Sequence, residues 1–385
     1  MLALSRHASR VGRTSSAKSG RKVQKRALNI DTYGTRTSSP GVVGSVFGAS
    51  GFLGRNVVNK LCSVGVQMVV PFRGEPYNVK HLKVMGDIGQ VVPQVWDLRD
   101  PDTIYESLKH SNLVVNLVAQ PADTRNFTME SVNVDGARLI AKIAREAGVE
   151  RFVHVSAAGA SKHSLSSWLR TKALGEEAVR EVFPQATIVR PTTMFGLDSP
   201  LLVRPAELIR YSPVFPMYKP DRLIQPVYSD DVARAILEIA ADDTTAGKTY
   251  SLGGPDTWTQ RELYDFLFEV LYHKPYVLEN CDMLVELYAK VFSKIHRNPR
   301  WTPETLDQQL YDSVPDAGML GFEDLGIQAD ELTTIRRYAI NVVRMFRRSF
   351  RYDANVKDSW VHPPSYKGQR AAVGVDLKRV LGKRD

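Results

Sequence analysis

Residues 42–54 read VVGSVFGASGFLG, and this stretch decides the fold. The apolar run that ends at Phe47 has the composition and length of a buried strand. Gly48, Gly51 and Gly54 follow it at once, and the residues beyond them carry apolar side chains at helical spacing. A strand, a glycine-rich turn and a helix in immediate succession form the opening unit of a dinucleotide-binding fold.

Each glycine of this turn is needed for a different physical reason. The first permits a tight turn out of the strand, the second lets a pyrophosphate approach the backbone, and the third lets the helix pack close to the sheet. The N–H groups at the start of the helix then face the phosphates. The alternative is a glycine-rich loop that only packs. The residues predicted to hold the nucleotide here are Gly48, Ser50, Gly51, Phe52, Leu53 and Gly54.

Strand and helix patterns alternate after the turn. Apolar runs predict five more strands, at 66–72, 91–96, 113–118, 152–156 and 186–190. Helical patterns lie between them, at about 100–109, 132–147 and 168–182. This alternation predicts an α/β fold with a doubly wound parallel sheet, covered by helices on both faces and binding ligands at the carboxyl ends of its strands.

The pattern changes at residue 195. Residues 195–228 are rich in proline and are predicted to be irregular. Thr259 and Glu262 have the spacing of a capping box at the start of a helix. The other elements predicted here are a helix over 229–241, a strand over 249–252 and helices over most of 280–350. The sheet is therefore expected to be followed by a smaller, mostly helical part.

The predicted boundaries follow changes in composition. The N-terminal 30 residues contain eight Lys or Arg and no acid, which is typical of a mitochondrial transit peptide, with its cleavage point left open. The alternative is a disordered basic arm that binds RNA or lipid. The predicted segments are a transit peptide (1–30), a flexible lead-in (31–41), a dinucleotide-binding Rossmann domain (42–255), a helical region (256–351) and an extended basic tail (352–385).

The net charge of +9 comes from the two ends of the chain. The 305 residues between the basic ends hold 30 Lys or Arg against 38 Asp or Glu. A mildly acidic body argues against nucleic-acid binding, so the interpretation as an RNA-binding protein depends on the basic ends alone. No apolar run has the length of a transmembrane helix. Cys62 and Cys281 match no metal-ligand spacing and are predicted to be buried thiols in a reducing compartment.

Arg73 closes the second predicted strand, where sites that prefer NAD place a carboxylate. A guanidinium can instead pair with a 2′-phosphate through two donors, so Arg73 favours NADPH over NADH. Arg55 is a second candidate for that phosphate, and the alternative for Arg73 is a solvated surface side chain. The other residues predicted to line the cofactor are Asp97 and Leu98 after the third strand and Leu117, Val118 and Ala119 after the fourth.

These motifs resemble the short-chain dehydrogenase/reductase superfamily, above all its extended and atypical branches. The resemblance is carried by GASGFLG, by DL after the third strand, by NLVA, by VNVDGA at 132–137 and by RPTTMFG at 190–196. It implies that Ser156 and Lys172 lie at the nicotinamide end of the cofactor. It also implies that Pro191 and Thr192 bind the cofactor.

Trp168 stands where that superfamily has the tyrosine of Tyr-x-x-x-Lys. An indole N–H does not give up its proton near neutral pH, and the ring offers no lone pair as an acceptor. The usual general acid is therefore missing, and no catalytic residue is assigned. The side chains that could replace it are interpreted as packing, surface or solvated groups: Tyr211, Tyr218, Tyr228, His154 and His163.

One atypical subgroup is especially similar, the NADPH-binding accessory subunit of mitochondrial respiratory complex I. The runs WLRTKALGEE at 168–177 and FPQATIVRP at 183–191 carry this resemblance, which covers roughly residues 40–260. It implies a nucleotide that is held as a structural element, without electron transfer. It also implies partners among the peripheral-arm subunits, on the matrix side of the inner membrane near the ubiquinone site. The alternative is a stand-alone NADPH-dependent reductase or isomerase of a small molecule.

Residues 336–351 mix apolar side chains with arginines. In a helix, Ile340, Val343 and Phe346 share one face, and the arginines lie largely elsewhere. Three interpretations stay open. The helix lies at an anionic lipid surface, packs on its own domain, or docks onto an acidic neighbouring subunit.

Overall fold

A computed structural model describes residues 28–347 of the chain with small gaps. The gaps are residues 29, 33, 39, 280 and 296–301, and at 292–295 only the backbone is described. The predicted basic tail, and all but the end of the predicted transit peptide, lie outside the described residues.

The described chain alternates strands and helices in its first part. The strands are β1 (Val43–Phe47), β2 (Gln67–Phe72), β3 (Val91–Val95), β4 (Leu113–Asn116), β5 (Arg151–Val155), β6 (Thr187–Pro191), β7 (Met194–Phe195), β8 (Val214–Pro216), β9 (Leu223–Ile224), β10 (Val227–Tyr228), β11 (Thr249–Leu252), β12 (Trp258–Thr259) and β13 (Tyr276–Leu278). The α-helices are α1 (Phe52–Ser63), α2 (Lys80–Lys83), α3 (Pro101–Leu108), α4 (Ala137–Glu146), α5 (Ser167–Val182), α6 (Pro200–Tyr211), α7 (Ser229–Ala241), α8 (Gln260–Leu271), α9 (Asp282–Ile295), α10 (Pro303–Asp307) and α11 (Ile335–Val343).

Seven parallel strands form the central sheet, in the order β11-β6-β5-β4-β1-β2-β3. β1 lies between β2 and β4, so the direction of winding reverses at β1. The predicted doubly wound parallel sheet is confirmed. In such a sheet the ligand crevice opens at the carboxyl ends of the two strands where winding reverses, which here are β1 and β4.

Apolar helix faces cover both sides of the sheet. On one side Val57 and Val58 of α1 and Ile236 of α7 are fully buried in a common core. On the other side Ile104 of α3 and Ile140 of α4 are buried with Val114, Phe152 and the inner face of α5. Because helices bury both faces of the sheet, the strands appear in the sequence as continuous apolar runs.

The segment predicted to be irregular, 195–228, contains a helix of twelve residues, α6. Ser199 caps it by accepting a hydrogen bond from the Leu201 N–H, and Pro200 occupies its first turn, where a missing N–H does no harm. Leu202, Ala206 and Ile209 form its buried face. The prediction failed because the prolines, including one inside α6, were given more weight than the cap and the apolar spacing.

The C-terminal part is built on a second apolar core between α6, α8 and α11. The capping box that begins α8 is confirmed, since Thr259 Oγ1 accepts from Glu262 N and Glu262 Oε2 accepts from Thr259 N. Residues 311–334 are not α-helical. They return to the sheet, where Leu320 bridges to Tyr250.

The N-terminal lead-in also packs on the sheet domain. Leu28 and Ile30 are buried in the same core as α1. The predicted boundary at residue 30 therefore falls inside a segment that contributes to the core.

The apolar face of α11 is turned into its own domain. Ala339, Val342 and Val343 are buried against α6 and α8, together with Phe346 beyond the end of the helix. The structure therefore supports the second of the three interpretations of residues 336–351, because this apolar face is not available to lipid. Residues 348–351 lie outside the description.

Two other expectations concern the cysteines and the membrane. Cys62 and Cys281 are buried free thiols, as predicted, and burial raises the pKa of Cys62 to about 12. In the described part of the chain, no helix has the length and hydropathy needed to cross a membrane.

Candidate functional site

The glycine turn after β1 is packed too tightly for any side chain. Gly48 has a φ of +82°, and its Cα faces the backbone of Leu117 at the end of β4. A Cβ on Gly54 would lie 2.6 Å from the Cα of Ala49 and closer still to the carbonyl oxygen of Gly48. The turn brings β1, α1 and the end of β4 into direct contact, which is the geometry predicted from the sequence.

The start of α1 is open to an anion. Gly51 is its N-cap residue, and no side chain caps the helix. The first N–H groups of an uncapped helix, with the positive end of the helix dipole, form a phosphate cradle. Ser50 is exposed beside this cradle, Phe52 is half-buried, and Leu53 is buried in the core.

Arg73 lies at the end of β2 and shares an aromatic platform with a second arginine. The guanidinium carbon of Arg73 is 5.1 Å from the ring centroid of Phe127, and that of Arg99 is 4.4 Å from the same ring. Arg99 is also held by a hydrogen bond of 2.7 Å to the carbonyl of Asn126. Two guanidinium groups therefore stand together beyond the carboxyl ends of β2 and β3, where the adenosine ribose of a dinucleotide would lie.

Arg99 was missed at the sequence level, although it follows β3 much as Arg73 follows β2. Asp97, which was predicted to line the cofactor, accepts a hydrogen bond of 2.9 Å from the Arg99 N–H and so shapes this turn. Leu98 packs against Gly136. Arg55 forms an ion pair with Asp198 at 3.2 Å and belongs to a different part of the site.

The loop after β4 is held by a buried asparagine that sequence reasoning also missed. Asn133 lies in a π-helical turn before α4. Its amide oxygen accepts from Gln120 N at 2.9 Å, and its amide nitrogen donates to Thr171 of α5 at 3.1 Å. This bridge fixes the residues predicted to line the cofactor here, which are Leu117, Val118 and Ala119.

Lys172 is buried at the carboxyl end of β5. Its ammonium donates to the Val155 carbonyl at 3.1 Å and lies 5.1 Å from the ring centroid of Trp168. Burial lowers the pKa of Lys172 from 10.5 to about 8, opposed by the nearby carboxylate of Glu176. The Ser156 hydroxyl beside this strand is buried and has no hydrogen-bond partner within the described chain. A cationic donor and an unpartnered hydroxyl fit the ribose of a nicotinamide nucleotide.

The remaining predicted residues, Pro191 and Thr192, lie at the end of β6 and are buried. The Thr192 hydroxyl donates to the Gln225 carbonyl at 2.6 Å, and its N–H donates to the Leu252 carbonyl at 2.9 Å. Both donors of Thr192 are therefore used within the protein, so neither is free to bind a ligand.

The structure places each of the five side chains that were considered as replacements for the missing acid. His154 is buried in β5, and burial lowers its pKa to about 3, with Lys172 contributing in the same direction. His163 and Tyr211 are exposed, whereas Tyr218 is buried, and Tyr228 stacks on Phe195. The interpretation of these side chains as core, packing or solvated groups is confirmed.

The shifted pKa of Lys172 makes a prediction for stability. Because the folded pKa is below the unfolded one, the unfolded chain binds more protons between pH 8 and 10.5, and stability rises with pH in that window. Relative to Lys172→Met, the unmutated apoprotein should gain about 3 kcal/mol across it. Urea unfolding of both proteins measures the difference, and parallel pH profiles would show that Lys172 titrates normally.

Comparison with known proteins also indicates a nucleotide-binding fold. A family model described as NAD(P)H-binding matches residues 48–243. The mitochondrial NADH dehydrogenase (ubiquinone) 1 alpha subcomplex subunit 9 of Mus musculus is 38% identical over 317 residues, which are 82% of this chain and 83% of that one. The mitochondrial NADH-ubiquinone oxidoreductase 40 kDa subunit of Neurospora crassa is 35% identical and covers 84% of each chain.

A solved structure supports the fold alone. The NADPH-dependent quinone oxidoreductase of Escherichia coli, in complex with NADPH, superposes with a TM-score of 0.62 at 18% identity. The match covers 79% of this chain and 100% of that one. The glycine cradle, the unpartnered Ser156 hydroxyl and buried Lys172 together fit a nicotinamide dinucleotide.

Proposed function

The chain belongs to the family of the alpha subcomplex subunit 9 of mitochondrial NADH dehydrogenase (ubiquinone), and we propose that it is a non-catalytic, NADPH-holding subunit of that complex. One observation carries the proposal. The residues that would bind the nucleotide are assembled, but Trp168 stands where a proton donor is needed. The nucleotide is then a structural element that fixes the loops after β1, β2, β4 and β5.

The chemistry of each binding residue indicates which part of the nucleotide it would bind. The first N–H groups of α1 would bind the pyrophosphate, and Arg73 with Arg99 would bind the 2′-phosphate. Lys172 and Ser156 would bind the nicotinamide ribose. NADPH would supply two more anchoring charges than NADH, at the point where the two guanidinium groups meet.

A change at Arg73 tests the choice of nucleotide. Arg73→Asp should weaken NADPH by about 1.5–3 kcal/mol, roughly 10- to 100-fold, and should leave NADH almost unchanged. Calorimetric titration of both nucleotides measures this. Arg138→Asp, on the exposed face of α4, is the matched control and should alter neither affinity. Equal losses for NADPH and NADH in Arg73→Asp would show that Arg73 does not read the phosphate.

The proposed place of the chain is the mitochondrion, on the matrix side of the inner membrane. There it would lie on the peripheral arm of the complex, near the membrane and the ubiquinone site, with other complex I subunits as partners. Family membership supports the assembly, and Trp168 at the position of the catalytic tyrosine argues against a stand-alone reductase.

Helix α9 provides a surface for such an assembly. Val285 and Ala289 are buried on one side of it, whereas Met283, Leu284 and Leu287 are 82%, 64% and 58% exposed. An unpartnered apolar helix face of this kind marks an interaction site. The sequence of α9 contains two acidic residues, Asp282 and Glu286, and two lysines, at 290 and 294, so it has no basic excess to attract anionic lipid. We infer that the apolar surface of a neighbouring complex I subunit covers it.

The experiment for the proposed function is a native gel of mitochondrial membranes, followed by mass spectrometry of the bands. This chain should migrate with NADH:ubiquinone oxidoreductase. Migration only as a free monomer or dimer would favour the alternative, an independent reductase or isomerase.

A further inference from the structure

A cavity of about 450 Å³ opens on the side of Trp168 that faces the C-terminal helices. It lies between the carboxyl-end loops of the sheet and helices α6, α8 and α10. Its volume is within the range of about 300–1,000 Å³ that is typical of small-molecule sites. Most of its wall is apolar and includes Leu201, Leu208, Phe215, Ile224 and Leu263.

The polar part of the wall includes hydrogen-bond donors that have no partner in the described chain. Arg222 donates through Nε to the Tyr311 carbonyl at 2.6 Å, but its Nη1 and Nη2 atoms meet no acceptor in the part of the chain that the structure describes. Gln308, also in the wall, has a buried amide nitrogen with no hydrogen-bond partner. A third polar group, Gln260, is satisfied by the Tyr218 carbonyl and the Tyr264 hydroxyl.

The charged side chains in the described cavity wall are all cationic. Its described residues include two arginines, Arg204 and Arg222, and no Asp or Glu. The guanidinium of Arg222 is half-buried, and although the carboxylate of Asp312 is near enough to favour its charge, no ion pair to it forms in the described chain, so an anion in the cavity would be attracted to it. Buried N–H donors are likewise satisfied only by an acceptor. The cavity therefore matches a ligand with an apolar body and an anionic head group that accepts hydrogen bonds.

We propose that this cavity binds a long-chain carboxylate, with its head on Arg222 and Gln308 and its hydrocarbon chain among the apolar side chains of α6 and α8. A planar carboxylate can take both Nη donors of a guanidinium at once. Because Trp168 offers no proton, the ligand is held and not reduced. This site lies beside the nucleotide site, and the retention of the ligand without reduction rests on the proposed function.

Calorimetric titration of the full-length chain loaded with NADPH tests the site. Dodecanoate should bind with a stoichiometry of one and should bind about fourfold more tightly for each methylene added from octanoate upward. Dodecanol should bind at least roughly tenfold more weakly, because it lacks the charge. Dodecyl phosphate distinguishes the head groups and should not bind more tightly than dodecanoate.

Two variants and a control locate the binding. Arg222→Gln should weaken dodecanoate by at least roughly tenfold and leave dodecanol unchanged. Leu208→Trp, which fills the apolar end, should weaken both. The control is Arg210→Gln. Arg210 lies on α6, as Leu208 does, but it stacks on Tyr211 outside the cavity wall, so this variant should bind dodecanoate as the unmutated chain does.

NADPH affinity shows that each variant is folded. The assignment is overturned if dodecanol binds as tightly as dodecanoate, or if dodecyl phosphate binds more tightly than dodecanoate. It is also overturned if Arg222→Gln binds dodecanoate normally, or if the NADPH-loaded chain shows no saturable binding.

Discussion

Gly54→Ala is expected to abolish NADPH binding and to destabilise the protein by about 3 kcal/mol. The added methyl group would lie 2.6 Å from the Cα of Ala49 and closer to the carbonyl of Gly48, and both neighbours are backbone atoms. Neither can move without opening the turn between β1 and α1. The N–H groups at the start of the helix would then no longer converge on a phosphate.

A second glycine provides the control for Gly54. At Gly321 a Cβ would have its nearest neighbour 4.0 Å away, and the backbone there is not in the left-handed region. Gly321→Ala should therefore retain NADPH affinity and the midpoint of urea unfolding. If Gly54→Ala bound NADPH normally, the turn would be a packing loop and the predicted nucleotide site would be wrong.

Placing acids on the exposed face of α9 is expected to remove the chain from the assembled complex. In Leu284→Asp/Leu287→Asp, two carboxylates would have to be buried in an apolar contact, which costs several kcal/mol per ion. The fold should be unaffected, because both side chains are more than half exposed. The measurement is the fraction of the chain that migrates with complex I on a native gel, with NADPH affinity as the check on folding.

The control for this variant changes exposed apolar residues elsewhere. Val84 and Ile88 are at least 80% exposed in the segment around α2, and Val84→Asp/Ile88→Asp should assemble normally. Assembly of the α9 variant at the same level as this control would contradict the docking surface. Loss of the chain from liposomes of anionic lipid, with normal assembly, would assign α9 to the membrane.

The parts of the fold that were predicted correctly are encoded by neighbouring residues. The glycine turn, the six apolar strands and the capping box at Thr259 each depend on fewer than fifteen consecutive positions. The replacement of tyrosine by Trp168 is likewise readable from a five-residue motif. Local patterns of this kind determine the elements and, in an α/β chain, most of the sheet.

The parts that were missed depend on pairs that are distant in sequence. Arg190 forms a bidentate pair with Glu176 and reaches Asp316, which lies 126 positions away. The stacking of Arg73 and Arg99 on Phe127 and the cavity beyond Trp168 also arise only when loops from several strands meet. The spacing of residues along the chain does not indicate which distant residues are in contact, so only the structure shows these contacts.

The most direct test of the central claim follows the nucleotide on this chain while the complex turns over. Complex I that contains the chain should release an equimolar amount of NADP(H) on denaturation. The ratio of reduced to oxidised nucleotide should not change during NADH-driven ubiquinone reduction, because Trp168 occupies the position of the tyrosine that would act as the general acid. Oxidation of the bound NADPH in step with turnover would contradict a structural role, and so would an assembled complex whose chain carries no nucleotide.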